Sequence, residues 1–194
     1  METPEKRDSS FSSLTPVRTP STPTTSATTI VSNRLAQIVK KLSDNCKEWE
    51  SQQQHGTDII KAIIVNIPKD SSAQNADHYT ASLERLCKQL HACVAIFHDV
   101  NETTKKCLEE LRALWALSGQ SKDVQSKSWN FEQYIKWTEE TVEEFQEIYE
   151  IKKIVMEEIA HAFEKSDLEL HRSIWEFTDP YLSLRFKFLE VERT

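Results

Sequence analysis

Cys87, His91 and His98 fall at offsets 0, 4 and 11, which places thiol and imidazole donors on one helical face. Such donors bind zinc when four of them converge. No second cluster faces these three, and no Cys-x-x-Cys occurs, so small core side chains are the simpler reading of Cys46, Cys87, Cys93 and Cys107. His161 follows Glu157 and Glu158 and has the side chain of a general base. No Gly-x-Ser-x-Gly elbow, His-Glu-x-x-His pair or phosphate-cradling loop accompanies it. A non-enzyme is therefore expected, without cofactor or metal. Thr3, Thr15, Thr19 and Thr22 each precede a proline. A hydroxyl followed by Pro in an extended segment suits a proline-directed kinase, and Arg18 completes the pattern around Thr15. Thr15, Thr19 and Thr22 are candidate phosphorylation sites, where each phosphate would add about -1.5 to -2 charge. Composition alone also produces such dipeptides in a Ser/Thr/Pro-rich segment.

The elements that must carry these residues are helices. Leu83, Leu86, Leu90, Cys93, Phe97, Val100, Thr104, Cys107, Leu111 and Leu114 alternate four and three apart. A mean spacing of 3.5 keeps one helical face against a partner along its whole length. Leu35, Val39, Leu42, Cys46 and Trp49 repeat the rhythm, and Gln53, Gly56, Ile60, Ile63 and Ile67 continue its phase. A separate strand over the β-branched residues 59–67 would have no reason to hold that phase. One helix from about 31 to 67 is expected, weakened at Gly56 by about 1 kcal/mol relative to Ala and ended by Pro68.

A second helix is expected over about 78–117 and a third over about 130–165, opened by the capping pair Asn130 and Gln133. The third carries a broad stripe of Phe131, Ile135, Val142, Phe145, Tyr149, Met156, Ile159 and Phe163, flanked by Tyr134, Ile148 and Val155, wide enough to pack against two neighbours. Asp167 can cap a short helix to about Thr178. Asp179 and Pro180 stand at the cap and first position of a last one, about 180–192, apolar nearly all round. The expected fold is all-α: an elongated antiparallel bundle of three long coiled-coil-like helices of similar length, plus two short C-terminal helices.

Residues 1–29 differ in kind, with fourteen Ser or Thr and four Pro. They cannot bury enough surface to offset their ordering entropy, so a disordered tail is expected ahead of a helical domain over 30–194. The net charge of -7 argues against a general nucleic-acid binder. No apolar run approaches the ~20 residues of a membrane span. Six glutamates between Glu139 and Glu150 read as a solvated face or as a strip for a basic partner. Of the five tryptophans, Trp175 lies outside the main pattern. It joins Pro180, Tyr181 and Leu182 as the candidate partner-binding group, with packing on the third helix as the alternative.

Several of these residues resemble a known family. Asp44-Asn45 with Trp49, Leu83-Glu84 with Leu86-Cys87 and Leu90, and above all Glu158, Ala160-His161, Asp167-Leu168, Trp175 and Pro180-Tyr181 are similar to the cyclin-dependent kinase 2-interacting protein family. The resemblance covers about residues 34–182 and fits a divergent, invertebrate-like member. It implies a non-catalytic nuclear adaptor, with cytoplasm as a second compartment, acting in DNA replication, DNA repair and cell division. The implied partners are cyclin-dependent kinase with its cyclin, the origin-firing kinase, the ATR-interacting protein, and spermatogenesis-associated AAA+ ATPases with a helical co-subunit. The ATPase complex implies work in replisome turnover and in large-ribosomal-subunit maturation. A structural coiled-coil subunit of a kinetochore or tethering assembly is the alternative.

Overall fold

The computed structural model describes residues 25–67, 80–118, 125–126, 129–162, 164–177 and 180–193. They form five helices: α1 (Thr25–Asn66), α2 (Ala81–Leu117), α3 (Phe131–Ile159), α4 (Lys165–Glu176) and α5 (Pro180–Arg193). A two-residue antiparallel pair, β1 (Gln125–Ser126) and β2 (Trp129–Asn130), lies between α2 and α3.

α1 is one helix through Gly56, as its unbroken phase requires. It begins at Thr25 rather than at about residue 31, because Ser and Thr are tolerated in helices at small cost and the seam behind them offsets the extra turns. The Thr80 hydroxyl caps α2 by accepting from the Leu83 N–H. Asn130 and Gln133 make the reciprocal capping box of α3.

Three boundaries differ from the sequence expectation. α3 ends at Ile159, six residues early. There the His161 and Ala162 N–H groups reach back only three residues, to Glu158 and Ile159, so the chain tightens and turns. α4 starts after Glu164, which makes no side-chain cap bond, and Asp167 lies inside its first turn rather than at its cap. The long helices are also unequal, at 42, 37 and 29 residues, or about 63, 55 and 43 Å. The expectation for Asp179 lies outside the described residues.

Named contacts give the directions. Arg34–Glu110, Asn45–Thr104 and Cys93–Gln52 run α1 and α2 antiparallel. Arg112–Glu139, Asn101–Gln146 and the His98–Tyr149 ring contact do the same for α2 and α3. α4 and α5 then return along both α1 and α3, through Lys61–Glu176, Lys47–Glu190 and Arg185 on Glu140 and Glu144. Pro180 stands at the first position of α5, where its missing N–H costs no helical bond.

The seams of α1 and α2 are buried as their spacing demands, except that Gln53, Ile67 and Leu114 are half-buried. The seam of α3 is centred toward the Tyr134, Ile148 and Val155 flank of the expected stripe. Its buried residues Phe131, Tyr134, Thr138, Thr141, Phe145, Ile148, Lys152, Val155 and Ile159 keep an unbroken three-four alternation, with Trp137 buried beside it. Ile135, Val142, Tyr149 and Met156 are only half-buried. α5, apolar nearly all round by sequence, buries Leu182, Phe186 and Leu189 and leaves Phe188 exposed.

Candidate partner-binding site

Aromatic rings from all five helices meet near the centre of the fold. Trp49 of α1 stacks on Phe145 of α3 at 3.8 Å and meets Phe97 of α2 edge-on at 4.5 Å. Phe97 is in turn 6.0 Å from Trp175 of α4, and Phe145 is 6.0 Å from Phe186 of α5. Edge and offset contacts of this kind add about 0.5–1.5 kcal/mol per pair beyond the area buried.

Trp175 is 0% exposed. Its indole lies against α1 where Gly56 leaves space: a Cβ added there would overlap the ring, with Cε2 only 2.6 Å away. Its Nε1 donates to the Gln53 carbonyl at 3.3 Å. Its own carbonyl, freed at the end of α4, accepts from Gln53 Nε2 and from Lys152 Nζ, both at 2.8 Å. Leu182 is buried too. These two residues therefore seat α4 and α5 on the long helices and offer no surface to a partner in this form. The packing alternative holds for Trp175, with α1 as its main seat as well as α3. The side chains of Pro180 and Tyr181 lie outside the described residues, as do Thr15, Thr19 and Thr22.

Lys152 is the residue that reading for apolar stripes missed. It is 0% exposed, with Nζ 4.5 Å from the Trp175 ring centroid and 5.5 Å from that of Phe97. Burial pulls its amine down from 10.5 to about 7, and the Cys93 thiol opposes that fall. Its signal was phase: it falls four residues after Ile148 and three before Val155. Its residue type, by contrast, is one that is rarely buried.

The other candidates separate. Cys46, Cys93 and Cys107 are buried, and burial pushes their thiols up, that of Cys93 to about 11. Cys87 and His91 line an open surface cleft with Glu84, Lys88 and Met156, while His98 is turned to the Tyr149 ring. Among the described residues no three metal-binding side chains converge. His161 is exposed. Part of the acidic run is paired, Glu139 to Arg112 and Glu140 and Glu144 to Arg185, whereas Glu143, Glu147 and Glu150 are exposed. None of the five tryptophans is exposed.

Beside its polar exposed residues, α4 with its C-cap also presents apolar ones. Leu170, Ile174 and Phe177, at i, i+4 and i+7, stand outward opposite Leu168 and Trp175, and Phe177 is 70% exposed. No family model matches the chain, and no curated protein matches it either.

Proposed function

We propose that this chain is a non-catalytic helical adaptor of DNA replication and genome maintenance, the role implied by its resemblance to the cyclin-dependent kinase 2-interacting protein family. In this reading it acts in the nucleus. It links cyclin-dependent and origin-firing kinases to checkpoint signalling through the ATR-interacting protein. It also serves as a subunit of a spermatogenesis-associated AAA+ ATPase complex, in replisome turnover and large-subunit ribosome maturation. The five helices are read as one elongated antiparallel bundle that acts as a rigid carrier.

The observation that supports an adaptor is the division of apolar surface. The three long seams are filled from within the chain by Trp49, Phe97, Phe145 and Trp175. A second apolar stripe, on α4, is left facing solvent. Apolar side chains repeated on an outward helical face suit recognition of another helix. Among the described residues no helix is long and apolar enough to cross a membrane.

The test is affinity capture on the full chain from nuclear extract, with immunoblots for the two kinases, the ATR-interacting protein and the AAA+ ATPases. Retention of the ATPases and kinases is expected. Retention of kinetochore or tethering subunits in their place overturns the reading in favour of the structural alternative.

A further inference from the structure

The outward stripe of α4 continues onto α3. Arg185 of α5 meets Glu140 and Glu144, which marks the flank of α3 that faces the returning helices. Ile151 lies eleven and seven residues beyond these two, on that same flank, and Ile154 follows on the outer side. The bond from Lys152 Nζ to the Trp175 carbonyl sets this part of α3 level with the last turn of α4. Glu176 turns toward α1, where it pairs with Lys61, so Ile174 and Leu170 fall on the side of α3. Ile154 is 58% exposed and Leu170 57%, and Ile151 and Ile174 are exposed as well.

The rim of this patch is acidic. Glu147, Glu150, Glu157, Glu158 and Asp167 are all exposed around it. Glu150 accepts a hydrogen bond from Gln146. Among the described residues two exposed cations border it, Lys165 at the start of α4 and Lys153, three residues after Glu150 and four before Glu157, so the five carboxylates outnumber them; Arg172 is held between Glu169 and Glu176.

We infer that Ile151, Ile154, Leu170, Ile174 and Phe177 form a docking face for a basic amphipathic helix of a partner protein. The inference rests on the adaptor reading and supplies the chemistry of its partner. The incoming helix would set apolar residues at i, i+3 or i+4 and i+7 on the stripe and Lys or Arg against the carboxylates. Charge selects this occupant. A second copy would bring the same acidic rim against itself. Residues 1–24 hold three basic and three acidic residues and so carry no net positive charge to offer.

A fluorescein-labelled 18-residue peptide tests it, with Leu at i, i+4 and i+7 and Lys and Arg on the flanks, titrated by anisotropy into the full chain. Binding that weakens as salt rises is expected. Leu170→Ser with Ile174→Ser should weaken it about tenfold or more. Both positions are exposed, so the circular dichroism melt should hold. If that variant melts early, Glu157→Lys with Glu158→Lys takes its place, with the same loss expected. Equal binding of a Glu-flanked peptide overturns the inference, as does unchanged affinity in the variants. A dimer in sedimentation that the double serine variant dissolves overturns it too, and so does peptide binding that requires removal of residues 1–24. Affinity capture keeps the two readings apart. Loss of the peptide with retention of the kinases and ATPases overturns this face and leaves the adaptor intact. Peptide binding by a chain that captures none of them supports the face while the adaptor reading fails.

Discussion

Gly56 of α1 is the seat of Trp175 of α4: the missing side chain of one is the space taken by the ring of the other. In an isolated helix Gly56→Ala would gain about 1 kcal/mol from propensity. Here the new methyl meets a ring that is also held by Gln53 and Lys152. The overlap should outweigh that gain, for a net loss of roughly 1–3 kcal/mol, read as a lower urea midpoint.

The sign should reverse when the ring is removed. Trp175→Ala alone should cost about 3–5 kcal/mol, since it empties a fully buried site. In that background Gly56→Ala should stabilise, by up to about 1 kcal/mol. A double-mutant cycle measures both effects. Additive losses would mean that α4 does not seat on α1 as described.

Lys152 gives the chain a pH dependence with a defined sign. Its amine titrates at about 7 when folded and near its ordinary 10.5 when unfolded, because burial disfavours the charged form. Below about pH 7 both states hold the proton, and the folded state carries the whole cost of the buried charge. Above that, the unfolded chain holds the extra proton, so stability rises with pH by up to about 1.4 kcal/mol per unit. The buried thiols act oppositely from about pH 9, where the folded state keeps the proton of Cys93. The clean window is therefore pH 7–8.5. Urea midpoints of the native chain should rise across it, and those of Lys152→Met should stay flat. Parallel slopes would count against a buried, titrating Lys152.

Phe97→Asp should unfold the chain or nearly so. Phe97 is fully buried between Trp49 and Trp175 and below Lys152. A carboxylate there loses the aromatic contacts and gains, in Lys152, one cation nearby. A loss of several kcal/mol is expected from the emptied volume and the buried charge. Full helicity with an unchanged melt would show that the four-three seam of α2 does not face the core.

The all-α class was legible from residues alone, because helix and seam are written in local spacing. Leu83 through Leu111 recur at a mean of 3.5, and every member is buried. The phase carried across Gly56 was enough to join α1 into one helix, and Asn130 with Gln133 was enough to start α3. These features depend on neighbours within a turn or two, which a sequence records directly.

The candidate site was legible only in part. Trp175 stood out by type, yet its exposure depends on where α4 lies, and that is decided by a turn at residues 160–162 and a notch in α1 more than a hundred residues away. Lys152 lies on the α3 seam by phase but is excluded by type. Only the returning Trp175 carbonyl, with the two rings, makes its burial tolerable. Periodicity states that a helix has two faces. Which face is covered, and by what, is a long-range balance of burial against desolvation, and that balance was set only when α4 and α5 folded back onto α1 and α3. The outward turn of Leu170, Ile174 and Phe177 follows from the same event, since seating Trp175 inward points them to solvent.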